Sequence, residues 1–319
     1  MSDERVRLAT IADAVVGAHT RDVPLAKWTP PKHVHLLRSP AAFNDQIMGE
    51  LSNDGTHGDP LPWAATHKLF RLRPHELSIW AGANGSYKST VLSEIMLSLA
   101  MSGKRVVIIS LEMPAYRVAA KMVIQALCRA HPVRKMVEQW AEGLEERLCF
   151  LDMTGDMAPA DAVKLAMYCA HELGTQHILF DNLTKIVSAD NDHAEQQRLF
   201  MAQMHRTAID TGMHVHVVAH TRKPTVTNGK TAPPNRYDIA GSRTLSDQPD
   251  NVIMVNRNFA KTEKVEKGDL NAQAEPDLVL LVEKHRHGRF EGKLKLWTRP
   301  DSYRFADDQF DAIAPYFVR

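Results

Sequence analysis

The chain has 319 residues, of which 44% are hydrophobic and 24% are charged. These proportions are those of an ordinary globular protein, and they exclude a disordered or fibrous chain. Because 39 Lys and Arg residues stand against 38 Asp and Glu residues, the balance also excludes nucleic-acid binding driven by bulk positive charge, so any such contact needs a local basic patch.

The amino-terminal part of the chain is polar and irregular. Charged residues interrupt residues 1–18, so we expect neither a signal peptide nor a membrane anchor, and a cytoplasmic protein. Residues 23–63 are rich in Pro, His and Asn, and only residues 41–51 have a helical pattern. We therefore predict an arm over residues 1–68, whose one helix is either a linker helix or a simple packed helix, and a core domain over residues 69–319.

From residue 69 onward, short apolar runs alternate with longer helical patterns, which is typical of an α/β fold with a parallel sheet wound with helices. Predicted strands cover residues 77–81, 105–110, 148–152, 177–180, 213–219, 251–255 and 278–283. Predicted helices cover residues 89–101, 115–130, 159–173 and 194–211. Two polar inserts, residues 221–237 and 260–276, are predicted to be mobile loops.

A phosphate-binding loop of the Walker A type follows the first predicted strand and opens the first predicted helix. Backbone N–H groups of such a loop converge on phosphate oxygens. Lys88 would reach the β- and γ-phosphates of ATP, and the Ser89 hydroxyl would bind Mg²⁺. The candidate nucleotide-binding residues are Gly82, Ala83, Asn84, Gly85, Ser86, Tyr87, Lys88, Ser89 and Thr90.

Tyr87 departs from the Walker A pattern, because it stands where the motif has its second glycine, directly before the lysine. Where the glycine serves a permissive backbone or a close approach to the nucleotide, a tyrosine would distort the loop and weaken hydrolysis.

Two further predicted strands lead into carboxylates. The strand over residues 105–110 runs into Glu112, from which a general base could polarise a water molecule for attack on the γ-phosphate. The alternative is that Glu112 only begins the next helix, beside Pro114. The strand over residues 177–180 ends in Asp181, which matches a Walker B aspartate that holds Mg²⁺.

The strand over residues 213–219 leads into His220, which would then sense the γ-phosphate, while a purely structural histidine is the alternative. Arg222 and Lys223 follow directly. This segment therefore places a histidine and two cations at the same edge of the predicted sheet.

Together these motifs resemble the DnaB-like hexameric replicative helicases of superfamily 4, and most closely their Twinkle and phage primase-helicase branch. The likeness spans about residues 60–305. It rests on residues 70–77, 110–113, 218–224, 238–242 with 250–253, and 282–288. The resemblance implies a RecA-like P-loop NTPase core and an ATP-dependent helicase that translocates on single-stranded DNA as a ring of identical subunits.

The resemblance also implies roles for cations outside the phosphate loop. Arg286, with Lys284, would act on the nucleotide of the neighbouring subunit, where a cation stabilises charge on the transferred phosphoryl group. The candidates for gripping the DNA backbone are Arg222, Lys223, Lys230, Arg236 and Arg243. A solvated loop with incidental charge is the alternative for these residues.

Other functions fit the same core. A RecA-like recombination or annealing ATPase would form filaments on single-stranded DNA, and a module that hydrolyses ATP poorly would use nucleotide only to regulate DNA binding. The arm lacks the cysteine pairs of a zinc-binding primase module. We therefore expect a separate primase or polymerase as a partner.

Overall fold

The computed structural model describes residues 34–51, 57–188, 193–222, 226–227, 230–231, 234–241 and 244–316. Contacts within the chain divide it into two compact units, residues 1–53 and 54–319. In the first unit, two 3₁₀ turns, Val34–Leu36 and Pro40–Phe43, precede helix α1 (Asn44–Leu51). This helix lies within the helical pattern over residues 41–51.

The second unit is built on a mixed sheet, which among the described residues has nine strands. A short antiparallel pair, β1 (Asp59–Pro60) and β2 (Arg71–Leu72), precedes the sheet, and β8 (Val226–Thr227) pairs with β9 (Lys230–Thr231). The nine strands are β3 (Leu77–Gly82), β4 (Val106–Ser110), β5 (Leu148–Phe150), β6 (His177–Asp181), β7 (His214–His220), β10 (Asn251–Arg257), β11 (Leu278–His285), β12 (Gly292–Arg299) and β13 (Arg304–Ala306). All seven predicted strands are present, which confirms the α/β fold with a mostly parallel sheet.

The order of the strands is β13-β12-β11-β10-β3-β7-β6-β4-β5. The six strands from β10 to β5 run parallel, whereas β11, β12 and β13 pair antiparallel. The carboxyl ends of the parallel strands therefore meet at one edge of the sheet, which is where open α/β sheets bind ligands.

Helices cover both faces of this sheet. They are α2 (Lys88–Met101), α3 (Ala115–Leu127), α4 (Arg134–Leu144), α5 (Pro159–Leu173), α6 (Ala194–Thr211), α7 (Thr244–Asp247) and α8 (Phe259–Glu266). The four predicted helices correspond to α2, α3, α5 and α6. None of the helices in the described part of the chain has the length and hydropathy that a membrane span requires.

One predicted loop is wrong. Residues 260–276 contain most of α8 and a 3₁₀ turn, Leu270–Ala274. The Asn258 side chain accepts a hydrogen bond from the Lys261 N–H and thereby caps α8. Lys264 also pairs with Glu275 at 2.7 Å, so local polar contacts give regular structure to a segment whose polarity suggested a loop. The other predicted loop, residues 221–237, contains β8 and β9 in its described part.

Alternating side chains of the sheet belong to two hydrophobic cores, one on each side of the sheet. Trp80 lies in a core with side chains of α2, α3 and α4, whereas Ile79 lies in a second core with side chains of α5 and α6. Successive side chains of a strand point to opposite faces, so the fully buried β3 contributes to both cores. This burial fixes the strand that precedes the phosphate loop.

Candidate functional site

The phosphate loop connects β3 to α2 at the carboxyl edge of the parallel strands. A Cβ atom on Gly82 would lie 2.5 Å from the Val255 carbonyl oxygen and 2.6 Å from the Ser86 hydroxyl oxygen, so only glycine fits there. Among the described residues, the backbone N–H groups of Tyr87, Lys88 and Ser89 have no intramolecular acceptor. Free N–H groups at a helix start bind anions, and the loop therefore fits a phosphate.

Lys88 begins α2 and is buried. Its Nζ donates hydrogen bonds to the carbonyl oxygens of Gly82 and Ala83, both at 2.8 Å. Burial lowers the pKa of Lys88, while the nearby carboxylates of Asp181 and Glu112 act in the opposite direction. The loop thus holds the Lys88 ammonium group against two of its own carbonyl oxygens.

Tyr87 has a backbone conformation that favours glycine. Its φ of 72° and ψ of 11° lie in the left-handed region, which costs a non-glycine residue about 1–3 kcal/mol. Even so, α2 begins at the next residue. The tyrosine ring packs edge-on against Phe305, with ring centroids 5.9 Å apart, and the Arg257 guanidinium lies over it at 4.5 Å.

Ser89 and Asp181 form the candidate metal site. The Ser89 hydroxyl donates to Asp181 Oδ2 at 2.7 Å. Burial raises the pKa of Asp181, the hydrogen bond from Ser89 lowers it, and the Glu112 carboxylate raises it. A hydroxyl and a carboxylate are hard oxygen ligands of the type that Mg²⁺ takes beside nucleotide phosphates, so the pair fits that ion.

Glu112 and His220 converge on Asn182, a residue to which the sequence analysis gives no role. The Asn182 amide group donates to Glu112 Oε1 and contacts His220 Nε2, the latter at 2.6 Å. The Thr184 hydroxyl donates to Asn182 Oδ1 at 2.6 Å, and the Glu112 carboxylate, which only accepts hydrogen bonds, requires the NH₂ group on its side. His220 Nε2 therefore accepts a hydrogen bond from the Asn182 amide.

These groups surround one open cavity of about 560 Å³. Of the predicted site residues, its lining contains Asn84, Gly85, Ser86, Tyr87, Lys88, Ser89, Thr90, Glu112, Asp181 and His220. Gly82 and Ala83 lie outside this lining and contribute the carbonyl groups that Lys88 contacts.

The cavity lining also contains three residues that were not predicted from the sequence, Met113, Lys121 and Arg257. Lys121 Nζ donates to the Thr90 hydroxyl at 3.3 Å, and burial lowers its pKa. Arg257 ends β10 beside β3, so the rule that placed Glu112 and Asp181 at this edge would also have found it. Nothing in the sequence marks Lys121, which reaches the cavity from a turn within α3.

Lys284 and Arg286 lie at the opposite edge of the sheet. Because β11 runs antiparallel to β10, Val252 pairs with Lys284 near the start of β10. The Arg286 guanidinium pairs with Asp250 at 2.9 Å, and Lys284 Nζ donates to the Asp247 carbonyl oxygen. Within one chain, these two cations are therefore separated from the cavity by the length of a strand.

The predicted DNA-binding residues are only partly described. Arg222 donates to the Gly241 carbonyl oxygen at 2.7 Å, and the Arg236 guanidinium donates to the Glu283 carbonyl oxygen at 3.3 Å. The backbone of Lys230 belongs to β9. Lys223 and Arg243 lie outside the described residues.

Comparison with known structures shows the fold of DnaB-like helicase ATPase domains. The ATPase domain of G40P superposes with a TM-score of 0.68 at 12% sequence identity, over 87% of this chain and 99% of that chain. A DnaB-like replicative helicase, solved in a study of its interactions with primase, gives a TM-score of 0.65 at 12% identity, over 95% of this chain and 75% of that chain.

The family model described as an AAA domain matches residues 59–226. This match covers more than half of the chain and contains β3 to β7, with the phosphate loop, Glu112, Asp181 and His220. The chain therefore belongs to the AAA domain family.

Proposed function

We propose that this protein is the ATP-hydrolysing domain of a replicative DNA helicase, which translocates on single-stranded DNA as a homo-hexameric or similar ring and unwinds duplex. The observation that carries the proposal is the gathering of Lys88, Asp181, Glu112 and His220 around one cavity. That cavity lies at the carboxyl edge of a sheet with the fold of DnaB-like ATPase domains.

Nucleotide binding would begin at the phosphate loop. The free N–H groups of residues 87–89 bind phosphate oxygens, and Lys88 exchanges its two carbonyl contacts for the β- and γ-phosphates. Ser89 and Asp181 would hold Mg²⁺, which would neutralise charge on the phosphates. Release of Lys88 from neutral carbonyls to charged phosphates favours binding, because charge-assisted hydrogen bonds are the stronger ones.

Hydrolysis would use the carboxylate of Glu112 as the general base. It accepts a proton from the water that attacks the γ-phosphorus, and phosphoryl transfer breaks the bond to the β-phosphate oxygen. Asn182 orients Glu112, and through the same amide group contacts His220. A change at the γ-phosphate can thus reach the strand end that leads into Arg222.

Completion of the site would require a second subunit. Lys284 and Arg286 lie at the opposite edge from their own phosphate loop, so they would serve the nucleotide of a neighbour.

The DNA backbone would contact five cations of the segment after β7, which are Arg222, Lys223, Lys230, Arg236 and Arg243. The solved DnaB-like helicase that resembles this chain was studied with primase, which supports a separate primase or polymerase as partner. We also propose that the protein acts in the cytoplasm. Within the DnaB-like helicases, we propose that it belongs to the Twinkle and phage primase-helicase branch.

The test is ATP hydrolysis by the purified protein with and without single-stranded DNA. We expect DNA to stimulate hydrolysis, and Lys88→Ala to reduce turnover to background because it removes the phosphate-binding ammonium group. Lys164→Ala is the matched control, since Lys164 is an exposed lysine on α5. Turnover by the parent that equals that of Lys88→Ala would refute the proposal.

A further inference from the structure

Tyr87 is the one residue of the phosphate loop whose side chain departs from the motif, and its backbone is strained. Glycine would adopt the same left-handed conformation without a steric cost. A tyrosine at this position carries a steric strain that glycine would avoid. The contacts of its side chain show what the tyrosine contributes in return.

The Tyr87 ring rests on a fixed support. Phe305 in β13 contacts the ring edge-on, and the backbone of Phe305 is held from two sides. Its N–H donates to the buried Glu94 carboxylate at 2.9 Å, and its carbonyl oxygen accepts from Trp63 Nε1 at 3.1 Å. The tyrosine therefore stands on a rigid part of the domain.

The second contact of the Tyr87 ring, besides Phe305, is with Arg257, a cation that lines the cavity. The Arg257 guanidinium carbon lies 4.5 Å from the centroid of Tyr87 and 5.0 Å from that of Phe259. In the described part of the chain, this guanidinium has neither an ion pair nor a side-chain hydrogen bond. Two aromatic rings thus hold a charged group whose N–H donors are available to a ligand.

We infer that Tyr87 is a positioning residue, which holds the Arg257 guanidinium in the cavity so that its N–H groups meet the bound nucleotide. The inference rests on the proposed nucleotide-binding function. It explains why a tyrosine occupies a left-handed position: the ring supplies a cation–π contact that glycine cannot. Restoring the glycine of the motif therefore weakens nucleotide binding, although it relieves the strained backbone.

The experiment measures the Kd of unlabelled ADP with Mg²⁺ by calorimetry for the full chain. We expect Tyr87→Gly and Tyr87→Leu to weaken binding by about 2-fold to about 30-fold, the range of a partly desolvated cation–π contact. Leucine keeps both the left-handed strain and the apolar contact with Phe305, so it isolates the aromatic face. Tyr87→Phe keeps that face and should weaken binding least.

Arg257 supplies the second arm of the test. Arg257→Ala should weaken ADP binding by a similar factor, and Tyr87→Leu should then cost nothing further, because the two residues act as one unit. Tyr168→Leu, at an exposed tyrosine of α5, is the control for loss of a tyrosine elsewhere. Thermal unfolding without ADP verifies that each variant is folded.

The outcomes separate this inference from the proposed function. ADP binding to Tyr87→Gly that equals or exceeds that of the parent overturns the inference alone, provided that Lys88→Ala abolishes binding. Losses from Tyr87→Leu and Arg257→Ala that simply add also overturn it. A parent protein without Lys88-dependent ADP binding overturns both.

Discussion

The amide of Asn182 joins Glu112 and His220, the two residues that we propose to face the γ-phosphate. It donates to Glu112 and to His220 from one nitrogen, while Thr184 holds its oxygen. We expect Asn182→Ala to lower kcat for ATP about tenfold or more, because a mispositioned general base loses part of its contribution of about 10²-fold to 10⁴-fold. The Kd of ADP should change far less, since Asn182 does not line the cavity.

Steady-state kinetics and calorimetry together test this role. Thr184→Val is the graded comparison, because it frees the amide without removing it and should cause a smaller loss of kcat. An Asn182→Ala enzyme with the parent kcat would show that Glu112 needs no such support.

Chain order predicts much of the site at the scale of single residues. Glu112 follows β4, and Asp181 and His220 are the last residues of β6 and β7. Lys88 begins the helix that follows β3, and parallel strands bring all four positions to one edge. Asn182 follows Asp181 directly, but its role depends on the side chains around it. The contact between Tyr87 and Arg257 joins residues that are far apart in sequence, and no local pattern encodes it.

At the scale of elements, one buried ion pair fastens the last strand to the phosphate-loop helix. Arg304 of β13 donates to Glu94 of α2 at 3.0 Å, and both side chains are almost fully buried. We expect Glu94→Ala to lower the free energy of unfolding by about 3–5 kcal/mol, because it leaves the Arg304 charge buried without its partner. Denaturant unfolding above the pKa of Glu94, which burial raises to about 7, measures this loss for the ionised pair.

The double variant Glu94→Leu with Arg304→Met is the control, since it removes both charges and keeps apolar volume. It should be more stable than Glu94→Ala. If the single variant is as stable as the parent, the pair does not fasten β13 to α2.

The elements that sequence analysis missed lie toward the edges of the domain. In β12, Lys293 and Lys295 are exposed and alternate with the buried Leu294 and Leu296. Such a strand lacks the continuous apolar run that marked the central strands, because only one of its faces is buried. Central strands, buried on both faces, are easier to recognise.

At the scale of the whole molecule, a chain of hydrogen bonds runs through two buried histidines, with a third stacked beside them. Trp80 Nε1 donates to His216 Nδ1 at 3.2 Å, so His216 carries its proton on Nε2 and donates it to His177 Nδ1, also at 3.2 Å. His177 Nε2 then donates to Asp59 at 3.0 Å. This arrangement satisfies the rings in their neutral form, and protonation would break it.

The third ring, His214, lies beside His216 with ring centroids 4.4 Å apart. Burial lowers its pKa to about 3, and the neighbouring His177 adds to the effect. The unfolded chain, with an ordinary value of 6.5, therefore binds more protons than the folded protein between these values. The free energy of unfolding consequently falls as the pH falls through that window.

We expect His214→Gln to remove about 1.4 kcal/mol per pH unit from this slope between about pH 6 and about pH 5. Denaturant unfolding at a series of pH values measures the slope, and His131→Gln, at an exposed histidine, should keep it. Burial raises the pKa of both Glu76 and Glu94 to about 7. These two carboxyl groups change the slope of the free energy of unfolding with pH in the opposite direction. They do so equally in the parent, His214→Gln and His131→Gln, so they do not affect the comparison. Equal slopes for the parent and His214→Gln would contradict the prediction.

Because β11 runs antiparallel to β10, the two edges of the sheet at the strand ends differ. One edge carries the phosphate loop, and the opposite edge carries Lys284 and Arg286. If those cations complete a neighbour's site, each contact between two subunits joins the cation edge of one to the phosphate-loop edge of the next, in a head-to-tail arrangement. An open row of copies then always has one finished site fewer than it has copies. Closing the row removes this deficit, so the angle between neighbouring copies decides whether every copy can turn over nucleotide.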